Sequence, residues 1–230
     1  MSFQKVDMKK LIVVFTCAAS FAACRSSNGP GTGAPAVMPN SGNEYTYQVD
    51  APQVQLQEYM TITNVSNNSF TAIRRSDTVN AFSTSDSERY ALLASGDLWP
   101  IVSDCCCDST PLPIASHRSF DPHYSGAAVP TKLNGFVNNS SSVLWHSQYE
   151  GQEMVFAAGR NFECSKVSKT VTVISISPFA GGGADTESVT HRYWYSPDIQ
   201  FFVKDQERGK SGDSSNTYFT RTLVSCQLAK

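Results

Sequence analysis

Three consecutive cysteines are the residues of this 230-residue chain whose types suggest chemistry most directly. They are Cys105, Cys106 and Cys107. Asp104 and Asp108 flank them, which indicates a loop, and His117 and His123 follow, so the region holds the ligand types of a zinc site. Zinc sites, however, space their cysteines by two or more residues so that each thiolate can turn toward the ion. The sequence therefore predicts no metal here, and without a Cys-x-x-Cys pair it predicts no redox site either.

The motifs of common enzymes do not occur in the sequence. There is no Gly-x-Ser-x-Gly, no His-Glu-x-x-His and no phosphate-loop lysine pattern. His117, His123, His146 and His191 stand without a surrounding signature. A Ser, His and Asp triad assembled from distant residues stays open, because triads are recognised by geometry. We therefore expect a protein that binds or scaffolds, with no catalytic residue and no cofactor, and keep a hydrolase as the less favoured alternative.

A cysteine near the start of the chain has a different context. Lys9 and Lys10 precede the apolar run 11–23, and Cys24 follows that run directly. Positive charge, an apolar segment and small residues in this order are typical of a secretory signal, and the run is too short to span a bilayer comfortably. Residues 25–43 are rich in Gly, Pro, Ser and Asn, which predicts a flexible linker. An ordinary cleaved signal and an uncleaved anchor are the alternatives.

The stretch Phe21-Ala22-Ala23-Cys24 resembles a bacterial lipobox. The resemblance implies that residues 1–23 are a lipoprotein signal peptide, that Cys24 carries acyl chains such as palmitate, and that residues 24–43 link this anchor to a folded domain at 44–230. In the enteric sorting pattern, Asp after the lipidated cysteine favours the inner membrane, and Arg25 occupies that position here. The resemblance thus implies a protein held by lipid on the outer membrane of a bacterial cell envelope, facing the periplasm.

The remaining cysteines would then lie in an oxidising compartment, where disulfides form. They are Cys105, Cys106, Cys107, Cys164 and Cys226. Their number is odd, so at least one has no partner within the chain. Cys164 and Cys226 each fall in a predicted strand, where they are either bonded or buried as small apolar groups. We hypothesise that one or two of the consecutive cysteines bond to Cys164 or Cys226 and tie that loop to the sheet.

Alternating apolar residues predict that the chain is mainly β. Tyr45, Tyr47 and Val49 fall at every second position, which is the period of a half-buried strand. Turn residues at 64–68 and a strand-like segment at 69–74 predict consecutive antiparallel strands. Ser85 and Glu88 match the capping box of a short helix, but we favour a hairpin of 89–94 with 98–102.

The second half of the chain combines a long loop with further strands. Residues 108–142 contain many Pro, Ser, Asn and Gly, which predicts a long excursion from the sheet. Strand composition returns at 143–149, 153–157, 162–176, 189–195, 199–204 and 218–228. The predicted fold is a single antiparallel, curved open sheet or half-barrel with long loops and little helix.

One predicted hairpin carries an aromatic face. Ser196-Pro197-Asp198 is expected to form its turn, because proline presets the backbone angle. Tyr193 and Tyr195 share a face before the turn, and Phe201 and Val203 share a face after it. These four residues could form an apolar binding face, although core packing is the commoner use of such side chains.

Three segments of the C-terminal half carry a second resemblance. They read MVFAAG at 154–159, FECSKV at 162–167 and YWYSPDI at 193–199. The segments resemble poorly characterised bacterial envelope proteins and are similar in style to the periplasmic lipoprotein-carrier family. That resemblance implies a sheet curled around a hydrophobic face, with an apolar ligand or a lipoprotein segment as partner. The alternative is a structural or accessory subunit of an envelope assembly.

The charge of the chain limits its partners. Eighteen basic and twenty acidic residues give a formal net charge of -2, with no basic stripe interleaved with aromatic residues. Nucleic-acid binding proteins usually present a basic patch that draws the phosphate backbone. The sequence therefore predicts no nucleic-acid partner, and it predicts a membrane partner only through the N-terminal lipid.

Overall fold

The computed structural model describes residues 35–52, 54–76, 85–101, 110–116, 119–125, 130–133, 136–139, 142–176, 184–211 and 214–230. Within these residues the chain forms strands and no helix. The N-terminal strands are β1 (Glu44–Ala51), β2 (Val54–Thr63), β3 (Ser69–Ser76), β4 (Ser85–Leu92) and β5 (Leu98–Ile101). Three short strands follow, β6 (Phe120–Ser125), β7 (Pro130–Leu133) and β8 (Phe136–Asn139). The C-terminal strands are β9 (Ser142–Ala157), β10 (Arg160–Ile176), β11 (Ala184–Ser196), β12 (Phe201–Ser211) and β13 (Ser214–Gln227).

Eleven of the described strands form one sheet in the order β5-β4-β3-β2-β1-β13-β12-β11-β10-β9-β6, and β7 and β8 form a separate hairpin. All pairings are antiparallel, and β5 and β6 are the edges of the large sheet. The predicted fold class, a single open antiparallel sheet with little helix, is confirmed. The alternative prediction, a short helix capped by Ser85 and Glu88, is wrong, because both residues lie in β4 and pair with β3.

The sheet is strongly curled. β4 and β12 are five steps apart in the strand order, which would separate them by about 24 Å in a flat sheet. The ring of Tyr90 on β4 nevertheless lies 5.6 Å from that of Phe201 and 6.0 Å from that of Phe202, both on β12. The two halves of the sheet therefore face each other across a concave side, which aromatic rings fill.

The rings on this concave side form the centre of the core. Phe70 stacks on Tyr90 at 5.2 Å, and Tyr45 stacks on Phe201 at 5.3 Å. The tyrosine hydroxyls also have partners, since Tyr45 donates to the Ile199 carbonyl at 2.8 Å. Aromatic side chains contribute large buried area, and their polar ends need hydrogen bonds when buried. This half of the concave side is consequently filled by protein.

A register shift changes which residues of β12 enter the core. Tyr195 pairs with Phe202 after a shift between Trp194 and Tyr195, and Gln200 before β12 has a positive φ of 60°. The rings of the consecutive residues Phe201 and Phe202 lie 4.7 Å apart, and both are buried. Strict alternation, which the sequence suggested for this hairpin, therefore fails locally, because a bulge inserts an extra residue into one strand.

The segment 108–142 is only partly an excursion from the sheet. Phe120–Ser125 forms β6 and pairs with β9 at the edge of the large sheet, so the prediction of one long loop is wrong for these residues. This strand was not predicted from the sequence because it contains Pro122, and proline is uncommon within strands. An edge strand tolerates proline because its outer N–H groups have no ladder partner, and the register of β6 shifts between Phe120 and His123.

Residues 35–43, named here the entry segment, pack across one end of the curled sheet. The Ala36 amide donates to the Gly96 carbonyl at 2.8 Å, and the Val37 amide donates to the Tyr195 hydroxyl at 2.7 Å. Asn43 is buried and accepts a hydrogen bond from the Ala229 amide at 2.8 Å. The entry segment, which the sequence assigned to the linker, is thus hydrogen-bonded to the folded domain.

Candidate functional site

A cleft of about 520 Å³ lies where the two halves of the sheet face each other. Its lining residues come from β3, β4 and β5 on one side and from β10 to β13 on the other. The ionisable residues of the lining are Arg74, Asp86, Glu88, Arg89, Tyr90, Lys169, His191, Tyr193, Asp205, Glu207 and Arg221. This part of the concave side is therefore charged, in contrast to the aromatic half.

Arg221 and Asp205 form a buried ion pair in the cleft. They are register partners on β13 and β12, and Arg221 Nε donates to Asp205 Oδ2 at 2.7 Å. One terminal guanidinium nitrogen donates to the same oxygen, and the other donates to Glu58 Oε2 at 3.2 Å. The fork of donors on arginine suits such contacts. The guanidinium thereby joins β2, β12 and β13.

Burial and the neighbouring charge shift the pKa of each member of this pair in opposite directions. Burial raises the pKa of Asp205, and the nearby Arg221 cation opposes that shift. Burial lowers the pKa of Arg221, but the carboxylates of Asp205 and Glu88 outweigh it and hold this pKa well above its usual value. The mutual attraction of the two groups opposes the cost of removing each from water.

Asp205 keeps one acceptor without a partner. Both bonds from Arg221 go to Oδ2, and among the described residues Oδ1 is buried without a hydrogen bond. A buried acceptor of this kind costs free energy until a donor reaches it. Asp205 lines the cleft, but Oδ1 itself is closed to solvent. An N–H or O–H group of a ligand would reach this oxygen after a neighbouring side chain of the lining moves.

A second ionic cluster lies on the opposite side of the cleft. Arg74 on β3 contacts Asp86 Oδ2 at 2.8 Å and Glu88 Oε1 at 3.3 Å. The Tyr90 hydroxyl donates to Glu88 Oε2 at 2.5 Å. These contacts hold Glu88 between a cation and a phenol, so its carboxylate is already hydrogen-bonded within the protein.

His191 lies in the cleft lining next to an acidic residue. Its Nε2 lies 3.1 Å from Glu207 Oε2. Burial lowers the pKa of His191, and the Glu207 carboxylate opposes that shift without reversing it. Lys169 is the register partner of His191 and is buried. The cleft therefore presents an imidazole that is neutral near pH 7, between an acid and a buried lysine.

The four residues predicted as an apolar face do not act together. Tyr193 lines the cleft, whereas Tyr195, Phe201 and Val203 are fully buried. The Tyr195 hydroxyl is engaged by the entry segment through Val37. Only Tyr193 of this set reaches the cleft, because the bulge and the curl of the sheet turn the other three into the core.

The cysteines divide between described and undescribed parts of the chain. Cys24 and the consecutive Cys105, Cys106 and Cys107 lie outside the described residues. Cys164 is a free thiol with no exposed surface. The predicted alternative in which Cys164 forms a disulfide is therefore wrong. Cys164 lies among core residues that bury it as a small apolar group. Cys226, in contrast, is not free.

Burial also makes Cys164 unreactive. Burial raises the pKa of its thiol to about 12, with smaller contributions from the carboxylates of Glu153 and Asp198. The thiolate is the nucleophile and the metal ligand, so this cysteine does no chemistry near neutral pH. In the part of the chain that the structure describes, no three His, Cys, Asp or Glu residues gather to hold a metal ion.

The described residues also contain no apolar helix long enough to cross a bilayer.

The charged cleft was not predicted from the sequence. Asp205 follows FFVK in β12, and Arg221 follows YFT in β13. A charge placed inside an apolar strand is a signal for a buried polar group, since such groups are seldom fully buried unless paired. What the sequence did not contain was the pairing of β12 with β13 in a register that sets Asp205 opposite Arg221.

No protein-family model and no curated protein matches this chain. Solved structures to which it is similar include a candidate exported protein with a YmcC-like fold from Bacteroides fragilis. That structure is 10% identical, with a TM-score of 0.45, over 84% of this chain and 100% of its own. A candidate lipoprotein from Parabacteroides distasonis is 10% identical, with a TM-score of 0.45, over 83% of this chain and 97% of its own.

The hypothetical lipoprotein YmcC from Escherichia coli is also similar. It is 11% identical, with a TM-score of 0.35, over 81% of this chain and 85% of its own. At these values the likenesses identify no family for this chain, and the resemblance to lipoprotein carriers stays a prediction.

Proposed function

We propose that this chain is a lipid-anchored protein of the bacterial cell envelope that binds a polar polypeptide segment in the charged cleft. The single observation that carries the binding site is the unpartnered Oδ1 of Asp205 in the cleft lining. A backbone or side-chain N–H of a bound segment would donate to this oxygen once a side chain of the lining has moved aside. The hydrogen bond would then remove the free-energy cost of a buried acceptor without a partner.

The charge of the lining supports a ligand without net charge. The lining contains four basic residues (Arg74, Arg89, Lys169 and Arg221) and four acidic residues (Asp86, Glu88, Asp205 and Glu207). Because these charges balance, the cleft draws neither a strong cation nor a strong anion. Tyr90, Tyr193 and Phe219 add aromatic surface to the lining, which suits the apolar parts of an uncharged polypeptide.

The same lining argues against the apolar ligand that the sequence suggested. An apolar ligand would offer no donor to Asp205 Oδ1, which has no hydrogen bond within the described residues, and it would cover charged side chains of the lining, which is costly. The aromatic half of the concave side is filled by rings such as Phe70, Tyr90 and Phe201. Of the two expected partners, the structure therefore favours the polypeptide segment over the apolar ligand.

Binding is also favoured over hydrolysis by what surrounds the histidine of the cleft. A hydrolase of the Ser-His or Cys-His type needs the imidazole within hydrogen-bond reach of a nucleophile. His191 contacts the carboxylate of Glu207, and Cys164 is buried in the core with a raised pKa. These contacts support a role in ligand binding.

Photocrosslinking tests the cleft as the binding site. Benzoylphenylalanine would replace Ile101, which lines the cleft from the edge strand β5, or Val54, which is exposed at the start of β2. We expect a discrete polypeptide adduct from position 101 in envelope preparations and none from position 54. The variant Val171→Phe, which narrows the cleft, should abolish the adduct without lowering thermal stability by more than a few degrees. An adduct that persists in this variant contradicts the proposal.

The anchor is tested separately by mass spectrometry of the mature N-terminus. We expect the mature chain to begin at Cys24 with acyl chains attached, since two chains hold a protein stably on a membrane where one binds only marginally. Cys24→Ala should release the protein from membranes. An unmodified Cys24, or cleavage elsewhere, would overturn the anchor and leave the cleft proposal standing.

We also propose that Cys226 forms a disulfide with one of the consecutive cysteines, Cys105, Cys106 or Cys107. Cys226 is not free, and Cys164, the other described cysteine, is. The bond would tie the region of the triplet to β13. Non-reducing peptide mapping should find the Cys226 peptide joined to the peptide of the triplet. Recovery of Cys226 as a free thiol would contradict this proposal.

A further inference from the structure

Five of the seven large apolar residues that are exposed in the described part of the chain lie toward one end of the sheet. Met154 is 61% exposed and Phe156 is 69% exposed, and both lie in the last four residues of β9. Val224 lies near the end of β13, Val65 follows β2, and Val37 lies in the entry segment. Antiparallel pairing places the start of β1 and the ends of β2, β9 and β13 at the same end. We name this the anchor end.

The entry segment brings the chain into the fold at this end. Its hydrogen bonds from Ala36 to Gly96 and from Val37 to Tyr195 fix its path. Gly96 allows that path, because a Cβ at this position would lie 2.5 Å from the Cβ of Pro35. Pro35 is therefore held against the domain at the anchor end.

The chain between Cys24 and Pro35 is short. Ten residues separate the two, and a fully extended chain covers about 3.5 Å per residue. Pro35 can thus lie at most about 40 Å from an acyl chain on Cys24. This limit keeps the anchor end near the bilayer and raises the effective concentration of any weak contact between the two.

We propose that the anchor end is a membrane-contact surface, with the side chains of Met154 and Phe156 placed among the lipid headgroups. This proposal rests on the lipid anchor proposed above. The occupant is the bilayer that holds that anchor, because the entry segment, which follows Cys24 closely in the sequence, joins the domain at the same end of the sheet as these residues.

The surroundings of the two side chains fit a shallow contact. Met154 pairs with Glu163 and Phe156 pairs with Asn161 across the β9–β10 hairpin, and both partners are exposed. Directly paired residues share a sheet face, so the surface mixes apolar and polar groups. Such a surface lies in the headgroup region and does not enter the hydrocarbon core, where a charged carboxylate would be costly. The backbone of the hairpin is paired up to Ala157 and Arg160, which suits a boundary poor in water.

The test uses the full-length acylated protein in phosphatidylcholine vesicles that contain brominated acyl chains, which quench tryptophan fluorescence at short range. Phe156→Trp reports on the anchor end. Val54→Trp is the matched control, since Val54 is 51% exposed and begins β2 at the opposite end of the sheet. The signal of the native tryptophans is subtracted with the unsubstituted protein. We expect at least twofold more quenching of the added tryptophan at position 156 than at position 54.

The outcomes separate this proposal from the one on which it rests. Acylated protein in which the Phe156→Trp variant is quenched no more than the Val54→Trp variant overturns the contact surface and leaves the anchor intact. Cys24 without acyl chains in the same sample overturns both. A concentration-dependent blue shift of Phe156→Trp without vesicles would show that a second copy covers this surface, which also overturns the membrane assignment. With the tryptophan introduced instead as Asn161→Trp, substituting Met154 and Phe156 by Ser should abolish the excess quenching over the control.

Discussion

Arg221 donates two hydrogen bonds to one oxygen of Asp205 and leaves the other oxygen of that carboxylate without a described partner. The pair lies on adjacent strands, β13 and β12, and both side chains are about 5% exposed. One buried contact thus holds two strands together and leaves an acceptor unpartnered beside the cleft. In the proposed function, stability and binding are therefore coupled at this point of the fold.

Removal of the cation should destabilise the fold strongly. Arg221→Leu leaves the Asp205 carboxylate buried without its partner, and Glu58 also loses a contact. Breaking a buried pair from one side costs about 3–5 kcal/mol. We expect a decrease of this size in the free energy of unfolding, measured with urea at pH 7.

Two further variants control this experiment. Arg74→Leu removes a cation whose side chain is 27% exposed and whose partner Asp86 is 64% exposed, so we expect a loss of about 1 kcal/mol or less. The double variant Arg221→Met with Asp205→Leu removes both charges and should recover most of the stability. Equal losses for Arg221→Leu and Arg74→Leu would contradict the role assigned to burial.

The free energy of unfolding should decrease as the pH falls below the usual pKa of histidine. The pKa of His191 is lowered in the fold by burial, and Glu207, Lys169, Glu88 and Arg221 are the charged groups that act on it. Between this lowered value and the value of about 6.5 in the unfolded chain, the unfolded state binds more protons. The free energy of unfolding should therefore be highest above about pH 6.5 and decrease toward pH 5.

Variants of the pair identify the responsible group. His191→Gln should flatten the pH dependence between 5 and 7 in urea titrations. Glu207→Gln removes the carboxylate that favours the charged imidazole, so the decrease should extend to lower pH. An unchanged slope in His191→Gln would assign the effect to another residue.

Two glycines with similar backbone angles should respond differently to alanine. Gly96 has φ +83° and Gly159 has φ +74°, so Ala costs about 1–2 kcal/mol of backbone strain at each position. At Gly96 the new Cβ would also lie 2.5 Å from Pro35 and 2.9 Å from Ala115, whereas nothing lies within 4 Å at Gly159.

Overpacking of this kind adds about 1–3 kcal/mol. Gly96→Ala should therefore lower the free energy of unfolding more than Gly159→Ala, and it should increase amide exchange at Ala36 and Val37. Equal effects of the two substitutions would show that the entry segment does not depend on its contact with Gly96.

Cys164 should resist alkylation in the native protein. Burial raises its pKa to about 12, so at pH 8 its thiolate fraction is on the order of a thousandfold below that of a free thiol. Iodoacetamide labelling followed by mass spectrometry should find this residue unmodified until urea unfolds the chain. Rapid labelling under native conditions would mean that Cys164 is not in the core.

The sequence predicted the strands well where side chains alternate. Tyr45, Tyr47 and Val49 are all buried in β1, as their spacing indicates, because period-two alternation follows directly from the strand backbone. The hairpin of β4 and β5 could be predicted equally well, since a turn around Gly96 separates two strand-like segments. Antiparallel class and low helix content therefore follow from local pattern.

The site could not be predicted in the same way. The bulge that brings Phe201 and Phe202 together depends on register with β11, and register is a property of two strands. The cleft requires β4 to approach β12, a contact set by the curl of the whole sheet. A pattern within one strand holds no information about which distant strand it will face, so Asp205 and Arg221 could be noticed singly but not paired.

The place of β1 in the sheet has a consequence for biosynthesis. β1 pairs with β13, and the hydrogen bond from Ala229 to Asn43 joins residues 186 positions apart. Sheets whose strands come from distant parts of the chain fold slowly, because the intervening loop must close first. The sheet is not continuous until the last strand has been synthesised. For the exported protein proposed above, nearly the whole polypeptide would therefore cross a translocation channel before a stable fold could obstruct it.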